Sequence, residues 1–165
     1  MKRIICHWTA GGHKASSVDK KHYHFLIEGD GAVVNGDHPV SANERVQGTR
    51  YAAHTRGCNT GSIGVSLCCM MGAVESPFSS GKAPMLETQW KKLVKLVAQL
   101  CKEYDIPVSD KTVLSHAEVE KSLGIKQRGK WDYTRLSFDS SVVGAKACGD
   151  KLRKEVLEEM GKGVN

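Results

Sequence analysis

The chain has 165 residues, 40% apolar and 25% charged, which suits one globular domain with a core and contains no apolar run near the ~20 residues of a membrane span. Twenty-four Lys and Arg against eighteen Asp and Glu give a formal charge of +6, a balance that favours anionic partners. The basic residues are scattered, without a basic arm or an aromatic-interleaved stripe, which argues against a nucleic-acid-binding module.

In chain order, residues 2–8 read as a short buried strand closed by the loop glycines Gly11 and Gly12. Its basic start, Lys2-Arg3, precedes only three apolar residues, too few for a secretory signal, so the chain is expected to be made in the cytoplasm and first retained there. His22 to Ile27 is the next apolar and aromatic run. Glu28-Gly29-Asp30-Gly31 supplies a turn, and Ala32-Val33-Val34 a hairpin partner. Ser62 to Met71 is a third strand candidate, apolar almost throughout and expected to be covered on both faces. Residues 75–82, with Pro77 and Gly81, form a loop.

Trp90, Leu93, Val94, Val97, Leu100, Cys101 and Tyr104 then recur at helical spacing, with Lys91, Lys92, Lys95 and Lys102 off that face and Pro107 barring continuation. Val113-Leu114 is a short strand ending at His116. A final helix, Asp150 to Met160 within 149–162, turns Leu152, Val156, Leu157 and Met160 inward. Interleaved strands and helices give an α/β class: a central mixed sheet flanked by helices, in a single domain spanning 1–165. The six cysteines form no Cys-x-x-Cys pair and read as small buried thiols in reduced surroundings.

The candidate chemistry lies in two histidines at strand ends, His7 and His116, and in the triplet Lys130-Trp131-Asp132. Two imidazoles and a carboxylate can form the three-ligand set of a catalytic zinc, whose fourth position is left to water. Their spacing alone does not identify a site, since no His-Glu-x-x-His or clustered ligand motif is present.

Four phrases in order resemble the type 2 N-acetylmuramoyl-L-alanine amidases, the family of phage-lysozyme-type amidases and peptidoglycan recognition proteins. They are Ile5-Cys6-His7-Trp8-Thr9-Ala10; Tyr23-His24-Phe25-Leu26-Ile27 with Asp30-Gly31; His54 with Asn59 and Ser62-Ile63-Gly64-Val65-Ser66-Leu67; and His116-Ala117-Glu118-Val119 with Lys130-Trp131-Asp132. The likeness runs from residue 2 to about 136. It implies a Zn²⁺ held by His7, His116 and Asp132 in a surface groove. Lys130 then stands beside the oxyanion, Tyr23 orients water or the tetrahedral intermediate, and His54 and Asn59 contact the substrate. His24 points away from Tyr23, and His13, His22 and His38 read as surface residues.

Two departures from the family pattern mark this chain. The stretch from His116 to Lys130 is longer than usual, and Tyr133-Thr134 replaces the Pro-Gly that often follows the third ligand. Asp139 is the nearest other carboxylate that could take the place of Asp132. The resemblance implies hydrolysis of the amide between N-acetylmuramic acid and L-alanine by a monomer acting on peptidoglycan or muropeptides, as a phage or prophage endolysin. A cytoplasmic muropeptide-recycling amidase and a non-catalytic peptidoglycan-binding protein of the same fold are the alternatives.

Overall fold

A computed structural model describes residues 1–162. Strand β1 (Arg3–Trp8) is an inner strand of a five-stranded sheet. It runs parallel to β4 (Ser62–Leu67) on one side and to β5 (Val113–Ser115) on the other. β2 (Phe25–Ile27) pairs parallel with β4 and antiparallel with the edge strand β3 (Val33–Asn35), giving the order β3-β2-β4-β1-β5. The sheet is mixed, as the sequence predicts. β4 ends at Leu67 rather than Met71, because Met70 takes a positive φ and turns the chain.

One face of the sheet is covered by two long helices, α2 (Glu87–Glu103) and α4 (Ala145–Gly161). α2 buries Trp90, Leu93, Val94, Val97, Leu100 and Cys101 against Ile4, Cys6, Trp8, Ile63, Val65 and Leu67. Gln89 fixes the start of α2 by donating to the carbonyls of Ile27 (3.1 Å) and Cys68 (2.9 Å) at the ends of β2 and β4. α4 begins five residues before the expected Asp150, and its buried face is Cys148, Gly149, Leu152, Arg153 and Val156. Leu157 does not turn inward: it is 55% exposed, beside the contact stripe formed by Gly149, Leu152, Arg153 and Val156. A Cβ at Gly149 would collide with the Glu118 carboxylate, so only glycine lets α4 come this close to the turn after β5.

Two short helices lie on the other side of the chain's path. α1 (Ser17–His22) is closed by a capping box in which Ser16 and Asp19 bond each other's backbone N–H at 3.0 Å. α3 (Val119–Leu123) follows a 3-10 turn, His116–Glu118, and ends at the left-handed Gly124. A two-stranded ribbon, β6 (Arg135–Leu136) and β7 (Asp139–Val143), leads into α4. Among the described residues no helix is long and apolar enough to cross a membrane. All six cysteines are buried and unpaired, as expected.

Candidate metal centre

His7 sits near the C-terminal end of β1 and His116 directly after β5, so two adjacent parallel strands deliver both imidazoles to one point. Asp132 arrives on the loop before β6. Its Oδ2 accepts from the Trp8 N–H at 3.1 Å, its carbonyl accepts from Ala117 N–H at 2.6 Å, and the next residue, Tyr133, donates its hydroxyl to the His7 carbonyl at 2.7 Å. The loop is thus tied to both histidine-bearing segments. His7 Nδ1 lies 3.0 Å from His116 Nδ1, and the two stand 3.9 and 4.0 Å from Asp132 Oδ2. These atoms form the one group of three or more possible metal-binding side chains among the described residues.

The hydrogen bonds on the far side of each ring decide where the lone pairs point. Gln127 Nε2 must donate to the Arg56 carbonyl (2.6 Å), so its Oε1 faces His116 Nε2 (2.6 Å) and makes that nitrogen the N–H. His54 Nε2 must likewise donate to the Ser62 carbonyl (3.2 Å), which leaves His54 Nδ1 to accept from His7 Nε2 (3.1 Å). Thr55 Oγ1 adds a contact to His54 Nδ1 at 2.7 Å. Both Nδ1 atoms facing Asp132 therefore carry lone pairs, and two such lone pairs at 3.0 Å repel unless a cation lies beside them. All three ligand atoms lie within 4.8 Å of one another, near enough to share one ion, the two imidazole nitrogens closest and the carboxylate oxygen somewhat farther out. The donor set, its burial and the committed outer nitrogens all fit a bound cation.

The electrostatics agree. Burial lowers the pKa of His7 far below its ordinary value, with the neighbouring imidazoles of His116 and His54 adding to it. Burial also lowers His116, partly offset by Asp132 beside it, and raises Asp132, partly offset by His116. His54 is pushed to about 3 by burial. The imidazoles are thus held neutral, the form that binds metal.

A groove of about 440 Å³ opens over these ligands, lined among others by Tyr23, His22, Arg128, Lys130 and Trp131. Tyr23 precedes β2, with its ring 5.2 Å from that of His7. Burial and the Asp132 carboxylate raise its pKa, so the phenol keeps its proton as a donor. Lys130 is exposed at the groove rim. His54 lies at the groove floor but is buried, its ring against Gly64 where any Cβ would collide. Asn59 is not brought to the groove: its Oδ1 accepts from the backbone N–H of His54 (3.0 Å) and Thr55 (2.9 Å) and shapes their turn. Asp139 lies on β7, bonded to Ser141, and is not in the cluster.

Of the remaining histidines, His24 is buried and bridges β2 to β4, accepting from Gly64 N–H and bonding Asn43 Oδ1, both at 3.0 Å. His13 is half-buried and donates to the Pro84 carbonyl, His22 is exposed beside Ala53, and His38 is half-buried. Sequence reasoning does not find Gln127, Thr55 or Tyr133. The one available signal is an uncharged Gln127 set among Lys126, Arg128 and Lys130.

A family model described as N-acetylmuramoyl-L-alanine amidase matches residues 1–134. The chain belongs to this amidase family. Its members are hydrolases, and every ligand-cluster residue falls inside the matched span. A search of curated proteins found no match. Among solved structures, the fold is similar to that of the Escherichia coli N-acetylmuramyl-L-alanine amidase AmiD, solved with anhydro-N-acetylmuramic acid-L-Ala-D-gamma-Glu-L-Lys. The TM-score is 0.50 and the identity 20%, over 71% of this chain and 48% of that one. The chain thus spans about half the length of that amidase. Similarity also extends to LysC from Clostridium intestinale (TM-score 0.46, 16% identity, 76% of this chain and 87% of that one). The Ph2119 endolysin of a Thermus scotoductus bacteriophage gives a TM-score of 0.45 at 20% identity, over 77% and 79%.

Proposed function

We propose that the chain is a zinc-dependent N-acetylmuramoyl-L-alanine amidase that cleaves the amide between the lactyl group of N-acetylmuramic acid and L-alanine in peptidoglycan. The observation that carries this reading is the pair of Nδ1 atoms 3.0 Å apart with Asp132 Oδ2 3.9 and 4.0 Å from them, in a chain that belongs to the amidase family. Two nitrogens and one carboxylate oxygen suit zinc. When bound there, zinc supplies Lewis acidity, polarising the scissile carbonyl and making water a strong nucleophile near neutral pH.

The protein's own residues do the rest. His7, His116 and Asp132 hold the ion with preset tautomers. The Lys130 ammonium, on the loop two residues before Asp132, offsets the negative charge that develops on the carbonyl oxygen. Tyr23 donates its phenolic proton as a hydrogen bond to the same tetrahedral centre. His54 acts behind His7, as its acceptor, and Asn59 holds the His54 turn. The amide C–N bond breaks, the water oxygen ends on the lactyl carboxylate, and both water protons end on the departing alanine nitrogen, which leaves as an ammonium.

The substrate we assign is polymeric peptidoglycan taken by a monomer, as an endolysin takes it. The +6 charge supports this by holding the chain near a carboxylate-rich envelope. Metal analysis and digestion of purified peptidoglycan test the whole reading. One zinc per chain, loss of activity with a chelator, and new L-alanine amino termini are expected. Reducing sugar ends without new amino termini, or binding without cleavage, would overturn it. Turnover of soluble muropeptides but not of the polymer would instead mark a recycling enzyme.

A further inference from the structure

The loop between α3 and Asp132 docks by alternate residues. Ile125 packs beside Leu114 and Val119, and Gln127 is buried, while Lys126, Arg128 and Lys130 are exposed. A buried amide among solvated cations needs partners, and Gln127 has three. Its Oε1 accepts from His116 Nε2 (2.6 Å), its Nε2 donates to the Arg56 carbonyl (2.6 Å), and its backbone N–H donates to Glu120 Oε1 (2.8 Å). Arg56 offers only an acceptor there, so the amide has one orientation, and that orientation assigns the His116 proton to Nε2.

We propose that Gln127 is a positioning residue of the metal centre: the loop after α3 places a neutral acceptor behind His116, fixing its tautomer and aiming Nδ1 at Asp132 and His7. The equivalent task behind His7 is performed by His54, whose own tautomer is set by the Ser62 carbonyl. The two imidazoles are thus oriented by two separate segments, the loop after α3 and the turn that carries His54. This inference rests on the reading that His7, His116 and Asp132 hold zinc, but the tautomer it assigns does not need the ion.

The test combines two readouts on the whole chain. In the zinc-free protein, ¹⁵N shifts of the His116 ring should show a single Nε2–H tautomer, and Gln127→Met should give a mixture. Competition with a chromogenic chelator should show Gln127→Met binding zinc about 10–100-fold more weakly, the usual cost of losing such a partner. Gln127→Glu, which keeps the acceptor but loses the bond to Arg56, should restore most of the affinity. A wild-type His116 protonated on Nδ1, or wild-type zinc affinity in Gln127→Met, would overturn the proposal. So would a loss that Gln127→Glu does not restore and that follows a fall in zinc-free Tm, because the residue would then merely hold the loop. If the wild type bound no zinc, the metal reading would fail while the ring shifts still decided the role of Gln127.

Discussion

Strands β1 and β4 present two faces buried by different physics. Towards α2 and α4 they show Ile4, Cys6, Trp8, Ile63, Val65 and Leu67, packed into the apolar core. On the other face they show His7, Ser62, Gly64 and Ser66, equally buried but covered by a layer of histidines and their hydrogen bonds, with Ile5 beside them in a small apolar cluster with Cys58, Leu114 and Val119. Ser66, the register neighbour of His7, has the one buried side-chain polar atom without a partner among the described residues. The first face is stabilised by area removed from water, and tolerates exchange among apolar side chains of similar volume. The second depends on direction, since each imidazole must present a particular nitrogen. Fold stability and site geometry should therefore respond to different substitutions.

The sharpest break in that separation is the place where the helical layer reaches the site. Arg153 of α4 donates to both Glu118 oxygens (3.1 and 2.9 Å) and to the Val113 carbonyl (3.0 Å), and Glu118 caps the turn that carries His116 by accepting from Ser115 N–H. Arg153→Met leaves a buried carboxylate without its counter-charge and should cost about 3–5 kcal/mol in urea unfolding. Adding Glu118→Gln should recover part of it. If the single variant unfolds at the wild-type urea midpoint, this seam does not couple the faces.

Purely on the groove side, Lys130→Ala should leave unfolding unchanged, since Lys130 is exposed, yet lower kcat on the order of 10²–10³-fold, about 2.7–4 kcal/mol of transition-state stabilisation. Zinc content should stay at one per chain. Normal turnover would show Lys130 to be only a rim charge.

This division also explains what was legible. The alternation Ser62-Ile63-Gly64-Val65-Ser66-Leu67 separates the faces residue by residue, and helical spacing exposes the inner side of α2. The three ligands stand in recognisable local phrases. The partners that set their tautomers do not: Gln127, the Ser62 carbonyl and the Arg56 carbonyl meet the histidines only through tertiary contact, and main-chain acceptors leave no mark on a sequence. α1 is legible only through its cap residues Ser16 and Asp19, and the first turn of α4, from Ala145, has no capping side chain to announce it.

An effect of comparable size follows from acid. His24 and His54 are buried neutral, with pKa values lowered by burial to about 4 and about 3, against an ordinary value of 6.5. Between these limits the unfolded chain binds protons that the folded chain refuses. Stability is thus fully present above pH 6.5 and is lost as pH falls towards 4, with a slope approaching about 1.4 kcal/mol per pH unit for each histidine. Urea midpoints of zinc-free protein at pH 7.5, 6.0 and 5.0 should fall in that order. Equal midpoints at 7.5 and 5.0 would mean that these rings titrate freely.

The smallest expected effect decides between the two carboxylates. Asp132 is buried, held by Trp8 N–H and within 4.0 Å of both Nδ1 atoms, whereas Asp139 bonds only Ser141 of its own strand, among the described residues. That local pairing holds the Asp139 carboxyl below the usual carboxylate range, through bonds a solvated turn can replace with water. Asp139→Ala should therefore leave the urea midpoint, zinc content and kcat at wild-type values. Asp132→Ala should lose the metal, and Asp132→Cys should retain part of it, because a thiolate also binds zinc. Were Asp139→Ala to strip the zinc, β7 would have to refold towards the groove, and the division between the two faces would fail at its edge.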